Sequence, residues 1–119
     1  MGAALDWGRH YLMVEPGHFR VDYAINPFMD PAHQPDPAAT RDQWDAIAAA
    51  ITGAGGVVDV LGQRPDAPDM VYAMNLGLPL LGGPTGRLAV LSHMRFPERR
   101  MEAGSAARCL SASFSVRGP

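Results

Sequence analysis

The stretch PDMVYAMN, residues 68–75, places two polar side chains at the ends of an apolar run. Asp69 lies near its start and Asn75 at its end, six positions apart. A carboxylate and an amide at this spacing can close the turns that flank a buried strand, or the strand can deliver both groups to a binding site. The turn is the better-supported role for Asp69 from this stretch alone, because Asp69 follows Pro68.

Cys109 is the only cysteine, and it lies in the small-residue stretch EAGSAARCLSASF. A lone cysteine is either a small buried hydrophobe or, where its thiolate is stabilised, a nucleophile. These residues alone leave both roles open. Without a second cysteine no internal disulfide can form, so a reducing, cytoplasmic compartment is expected.

Two further polar residues are equally ambiguous. Asn26 precedes Pro27, which is typical of a turn but is compatible with a ligand-binding amide. Arg95 lies in the run MRFPERR, where a solvated basic surface is the ordinary interpretation.

The four histidines do not form a metal-binding pattern. They lack HxxxH or HExxH spacing and a partner cysteine pair, so neither a metal nor another cofactor is expected. His93, two residues before Arg95, is considered as a general acid/base, with a solvent-facing or strand-end role as the alternative. The histidines are His10, His18, His33 and His93.

One helix is predicted clearly, at about residues 40–52. Apolar residues recur there at i, i+3, i+4 and i+7, which predicts a buried stripe with Trp44 in the core. Thr40 and Gln43 have capping-box spacing, and Gly53 is placed to end the helix in a left-handed conformation. The stripe consists of Trp44, Ile47, Ala48 and Ile51.

Strands are predicted on both sides of this helix, while the proline-rich stretch 25–40 is mostly loop. The order strand, helix, strand, strand, strand predicts a mixed α/β module without the regular alternation of a doubly wound sheet. The predicted strands are 10–14, 57–61, 70–74 and 87–94, with 18–23 as a strand or an extended segment.

The composition excludes several classes of protein. The 119 residues suit one domain, and 47% of them are hydrophobic, which is enough for a packed core. A net charge of −2 does not favour binding to nucleic acid or to an anionic membrane. No stretch approaches the roughly 18 apolar residues that span a bilayer, and no signal peptide is expected.

Four stretches, in this order, resemble one known family: YLMVEPGHFRVDYAINPFMD, the QWDAI helix, PDMVYAMNLGL and LSHMRFPERRMEA. They are similar to the amidinotransferase and arginine dihydrolase branch of the guanidino-group-modifying enzymes, which includes arginine deiminase and dimethylarginine dimethylaminohydrolase. The resemblance implies the pentein fold, an α/β propeller of five ββαβ-type blades. The expected fold class is therefore α/β, a partial pentein of about two blades with a mixed sheet.

The resemblance also divides the chain. Residues 1–9 are a lead-in, and 10–102 resemble the N-terminal part of a pentein-like domain. The tail, 103–119, resembles the family's C-terminal cysteine-bearing segment, with an unrelated ending as the alternative. The family's middle part, with its catalytic histidine and acidic partner, has no expected counterpart here.

The same resemblance implies roles for individual residues. Asp69 and Asn75 match the pair that holds the substrate guanidinium, and Asn26 matches a substrate-site amide of dihydrolase-like members. Arg95 matches the arginine that pairs with the substrate's α-carboxylate, with Arg99 as the alternative match.

Cys109 matches the family's nucleophile, and the implied chemistry is hydrolysis of a guanidino C–N bond. The thiolate attacks the guanidinium carbon, ammonia or an amine leaves, and water releases the covalent intermediate. This chemistry needs a general acid/base, normally a histidine. The implied function is action on arginine or a related guanidino compound, with release of ammonia.

The chain is expected to be weak or inactive as an enzyme, because no residue matches the catalytic histidine. Exposed blade edges would allow homo-oligomers to form. The alternative function is a non-catalytic remnant that retains guanidino binding, or only folding and assembly.

Overall fold

Two small sheets, each crossed by one helix, make up the part of the chain that the computed structural model describes, residues 9–81, 86–112 and 115–118. This arrangement confirms the mixed α/β class. No helix in these ranges is long and apolar enough to cross a membrane. The elements are β1 (His10–Val14), α1 (Pro37–Gly53), β2 (Val57–Leu61), β3 (Gly77–Leu81), β4 (Arg87–Leu91), α2 (Arg100–Leu110) and β5 (Ser115–Arg117).

The first sheet pairs β1 with β2 in parallel, and α1 makes the crossover between them. The register runs from His10 opposite Val57 to Val14 opposite Leu61. The Trp44 indole Nε1 donates a hydrogen bond to the carbonyl oxygen of Val14 at 2.8 Å. This bond fixes the helix at the end of β1, where the chain enters the region of the candidate site.

The second sheet has the order β3–β4–β5. The strands β3 and β4 form an antiparallel pair, and β5 returns parallel to β4 after the crossover helix α2. The succession β3, β4, α2, β5 is one complete ββαβ unit, as expected of a pentein blade. Ala89 on β4 is buried, with α2 in contact with both β4 and β5.

Two short 3-10 turns connect the sheets and carry the polar residues of the PDMVYAMN stretch. We name them the Asp69 turn (Pro68–Val71) and the Asn75 turn (Ala73–Asn75). The main buried cluster holds them in place, because Met70 and Leu76 are both at most 2% exposed. The full cluster is Val14, Ala67, Met70, Leu76 and Ala106.

The predicted strand at 70–74 is therefore wrong. The amide of Tyr72 bonds to the Asp69 carbonyl at 3.0 Å, and that of Asn75 bonds to the Tyr72 carbonyl at 3.1 Å. These local bonds satisfy backbone groups that a strand would direct to a neighbour. The sheet strand begins only at Gly77, as β3, and no strand was predicted there.

The predicted helix is confirmed, but its caps are different. Asp36 is the N-cap, and its Oδ1 accepts a hydrogen bond from the Ala39 amide at 2.7 Å. Thr40 lies inside the helix, so the predicted capping box is wrong. Past the C-terminus the left-handed residue is Gly55, with φ of 88°, rather than Gly53.

The apolar stripe of α1 is not buried as predicted. None of the residues of α1 is buried, and Ile47 is 57% exposed. Trp44 is half-buried against the end of β1 rather than enclosed in the core. One side of this helix therefore presents apolar atoms to solvent.

Three further differences concern segment boundaries. Residues 18–23 form no strand, which leaves the predicted alternative of an extended segment, and the Val21 amide bonds to the Gln34 side chain at 2.9 Å. The strand predicted at 87–94 ends at Leu91. The helix α2 was not predicted, although Ala103, Ala106, Ala107 and Leu110 recur in it at i, i+3, i+4 and i+7.

Candidate functional site

Asp69 is the most enclosed of the predicted site residues, with 4% of its surface exposed. The Tyr23 hydroxyl donates a hydrogen bond to Asp69 Oδ2 at 2.9 Å. Behind the turn, the Gln63 amide donates to the carbonyl oxygens of Ala67 and Pro68, both at 2.9 Å. Since the side chains of Tyr23 and Gln63 both hold this turn, the carboxylate is fixed before any ligand arrives.

Burial raises the pKa of Tyr23, and its hydrogen bond to Asp69 raises it further. The negative charges of Asp69 and Glu102 act in the same direction, while Arg99 opposes them. At neutral pH the phenol therefore keeps its proton and remains a donor to the Asp69 carboxylate.

A guanidinium of the chain itself joins Asp69 to Asn75. Arg99 Nη1 donates to Asn75 Oδ1 at 3.2 Å, and Nη2 donates to the Asp69 carbonyl oxygen at 3.2 Å. The Arg99 side chain is 12% exposed. One planar group thus fixes the relative positions of the Asp69 turn and the Asn75 turn.

Glu102 holds the same guanidinium from another side, and its side chain is completely buried. Arg99 Nε lies 3.1 and 3.2 Å from the two Glu102 carboxylate oxygens, and Nη2 lies 2.8 Å from Oε2. Burial raises the pKa of Glu102, although Arg99 opposes the shift. Burial would lower the pKa of Arg99, but the Glu102 carboxylate and the charge of Asp69 reverse this and raise it.

An open groove of about 520 Å³ lies beside this network. Asn75 and Arg99 form part of its wall, together with His93 and Arg95. The Arg95 guanidinium lies over the Phe96 ring, 5.4 Å from its centroid. Within the described ranges no carboxylate pairs with Arg95, so its charge is available to an anionic group in the groove.

The remaining predicted site residues lie elsewhere. Asp69 does not line the groove, because it is buried behind Arg99. Asn26 is exposed, and its Oδ1 accepts a hydrogen bond from the Phe28 amide at 2.9 Å, which is the turn alternative. Cys109 is exposed in the last turn of α2 and also does not line the groove.

No protein-family model matches the chain. It is 35% identical over 104 residues to an N(G),N(G)-dimethylarginine dimethylaminohydrolase of Mycobacterium tuberculosis, over 87% of this chain and 33% of that protein. It is 35% identical over 92 residues to the bifunctional arginine dihydrolase/ornithine cyclodeaminase ArgZ of Synechocystis, over 76% of this chain and 12% of that protein.

A solved structure of the N-terminal domain of ArgZ, an arginine dihydrolase bound to its substrate, matches with a TM-score of 0.78 and 28% identity. The match covers 92% of this chain and 39% of that one. The chain belongs to the guanidino-group-modifying superfamily. This confirms the resemblance and the pentein fold. The chain spans only about a third of the length of the dimethylarginine dimethylaminohydrolase that it matches.

The superfamily resemblance pointed to Asp69, Asn75 and Arg95, but it left out Tyr23 and Glu102. The local pattern ERRME contained a signal for the Arg99–Glu102 pair, since i, i+3 opposite charges at a helix start face each other. Tyr23 had no such signal, because it is 46 residues away from Asp69 in the chain. In the described ranges no cluster of potential metal ligands is present.

Proposed function

We propose that this chain binds arginine or a related guanidino compound, as the substrate-recognising part of a Cys-dependent guanidino C–N hydrolase. One observation carries the proposal: Asn75 and the Asp69 turn are joined around a guanidinium, that of Arg99, at the wall of a groove. Oxygen acceptors arranged in this way suit a planar guanidinium with its fixed fork of donors.

The polar groups of the groove suit the two ends of an arginine-like ligand. Asn75 would accept from the ligand guanidinium, with Asp69 supplying negative charge from behind Arg99. Arg95 would pair with the ligand carboxylate through charge-assisted hydrogen bonds. Asn26 joins the site only if it gives up the bond from the Phe28 amide.

Hydrolysis would use Cys109 as the nucleophile, and His93, which lines the groove, as the general acid/base. The position of Cys109 outside the groove makes this step poor in the chain as described, so we expect weak turnover or none. A cytoplasmic location, without a metal, other cofactor, nucleic acid or membrane partner, belongs to the same proposal.

A second function, non-catalytic guanidino binding, is favoured by the same position of Cys109. The two functions differ in ammonia release from arginine, agmatine and methylarginines. Release that is lost in Cys109→Ser, and reduced in His93→Gln, would establish the hydrolase. Binding without release would establish the binding module.

Calorimetric titration of the 119-residue chain with arginine tests recognition directly. We expect saturable binding that is weakened about tenfold by Asn75→Ala, the size of one lost hydrogen bond. Citrulline, which has no guanidinium charge, should bind more weakly than arginine. Gln43→Ala, at an exposed amide on α1, is the matched control and should bind arginine normally.

Arg95→Gln should weaken arginine binding more than agmatine binding, because agmatine has no carboxylate. Arg108→Gln, at an exposed arginine on α2, is the control. A folded chain that binds none of these guanidino compounds would overturn the proposed function.

A further inference from the structure

Glu102 is the one fully buried acidic side chain in the described ranges, and it does not line the groove. It contacts neither Asn75 nor the Asp69 turn through any hydrogen bond of its own. Its acceptor oxygens are directed at Arg99 alone. Among hydrogen bonds, the link from Glu102 to the groove therefore passes through that guanidinium.

The N–H donors of the Arg99 guanidinium are divided among Glu102, Asn75 and the Asp69 carbonyl oxygen. Nε and Nη2 face the Glu102 carboxylate, at distances between 2.8 and 3.2 Å. Nη1 is left to donate to Asn75 Oδ1. Because the guanidinium is rigid, its two-point attachment to Glu102 determines where Nη1 points.

The free-energy cost of burying Glu102 is consistent with a role beyond stability. Burial raises its pKa even though Arg99 is bound to it, so the charged form is less favourable inside the protein than in water. A buried pair of this kind is weak support for stability on its own. Its geometric consequence is that Nη1 points at Asn75, which lines the groove.

We propose that Glu102 is a positioning residue, which orients Arg99 so that Arg99 fixes the side-chain amide of Asn75 at the wall of the groove. The inference rests on the proposed function only for its effect on ligand binding. The structural link from Glu102 through Arg99 to Asn75 stands independently of any ligand.

The side-chain NH₂ resonances of Asn75, assigned by their loss in Asn75→Ala, test the link without a ligand. Glu102→Gln keeps the size of the side chain but removes its charge and one acceptor, so the Asn75 resonances should shift. Glu98→Gln, at an exposed glutamate next to Arg99 in the 3-10 turn Pro97–Arg99, should leave these resonances unchanged. Unchanged Asn75 resonances in a folded Glu102→Gln protein would overturn the proposal.

Arginine binding provides the second measurement. Glu102→Gln should weaken binding about tenfold in the wild-type background and not at all in an Asn75→Ala background, because coupled residues are not additive. Additive losses would overturn the positioning role. If the wild-type chain binds no guanidino compound, the proposed function fails, while the Asn75 resonances still decide the positioning role.

A second variant covers the case in which Glu102→Gln does not fold. Arg99→Lys keeps a positive charge beside Glu102 but cannot bridge Glu102 and Asn75 with one rigid fork. It should shift the same Asn75 resonances, and no shift would again contradict the proposal.

Discussion

At the residue scale, the candidate site is a network of partly and fully buried charges rather than a row of free ligands. Arg99 bonds to Glu102, to Asn75 and to the Asp69 backbone, and Tyr23 bonds to the Asp69 carboxylate. Each buried charge therefore has a partner, as low-dielectric surroundings require. A guanidino ligand would enter beside a guanidinium that is already satisfied by the chain.

The first prediction concerns Tyr23 at alkaline pH. Its pKa is raised in the folded state, so its contribution to stability is complete below the ordinary tyrosine pKa of about 10 and is lost as pH rises above it. Tyr23→Phe should reduce the free energy of unfolding at pH 7 by about 1 kcal/mol, because the hydrogen bond to Asp69 is lost. Above about pH 10, the free energy of unfolding of this variant should fall less steeply with pH than that of the wild-type protein. Urea unfolding at a series of pH values measures both effects.

Tyr72→Phe, at an exposed tyrosine, is the matched control for this series. It should reproduce the decline of the wild-type protein at alkaline pH. An identical alkaline decline in Tyr23→Phe and wild type would show that Tyr23 ionisation does not contribute.

The second prediction concerns the loss of the Glu102 carboxylate. Glu102→Ala leaves the Arg99 guanidinium without its main acceptor in a site where little water can reach it. Removal of one partner of a buried pair costs about 3 kcal/mol, so this variant should unfold at clearly lower urea concentration. Glu98→Ala, at the exposed glutamate, should change the midpoint little, and equal effects would contradict the burial argument.

At the scale of elements, the site depends on two short turns held between a strand and a helix. Met70 and Leu76 anchor the Asp69 and Asn75 turns in the main buried cluster, while Ala106 joins it from α2. The helix α2 also supplies Glu102, so one element contributes both packing and charge to the site. By contrast, α1 has no buried residue, and Trp44 bonds it to the end of β1.

The third prediction tests the N-cap of α1. Asp36→Ala should reduce the free energy of unfolding by about 1 kcal/mol, because the Ala39 amide loses its acceptor. Thr40→Ala should have little effect or stabilise slightly, since Thr40 lies inside the helix, where alanine is the better helix former. Thermal unfolding of both variants distinguishes the Asp36 cap from the capping box at Thr40 and Gln43. A larger loss of stability in Thr40→Ala than in Asp36→Ala would favour the capping box.

At the scale of the whole molecule, one side of the second sheet is open. Leu78 lies opposite Val90, and Leu80 opposite Leu88, so their side chains share a face of the β3–β4 pair. Leu78 is 58% exposed and Leu80 42%. We name these four residues the open sheet face. Exposed apolar faces of this kind favour association.

Homo-oligomers remain a prediction, and the structure favours this face over the edge of β3. Pro79 has no amide hydrogen to donate, so it weakens strand addition along that edge. We expect concentration-dependent association of the wild-type chain in sedimentation velocity, and we expect Leu80→Glu with Val90→Glu to abolish it. Ile47→Glu, at an exposed position on α1, is the control and should associate like the wild-type chain. If Ile47→Glu abolished association and the sheet variant did not, the contact would lie on α1.

Much of the first half of the chain could be predicted from local patterns. The runs HYLMV and VVDVL became β1 and β2, and the apolar repeat of α1 became a helix. Two patterns failed where tertiary contacts outweighed them: Gly104 and Ser105 did not prevent α2, and Pro79 was accommodated in β3. The cap of α1 was misassigned for a local reason, because Asp36 accepts a hydrogen bond from the Ala39 amide and is followed by Pro37 at the start of the helix.

The sequence by itself determined the superfamily, the α/β class and the choice of Asp69, Asn75 and Arg95 as candidate ligand-binding residues. Only the tertiary structure decided that Asp69 is buried and that Arg99 joins it to Asn75. The reason is chain distance: Arg99 lies 24 residues from Asn75 and 30 from Asp69, beyond the reach of any local pattern. Such bonds form only when packing around Met70 and Leu76 brings α2 against the two turns.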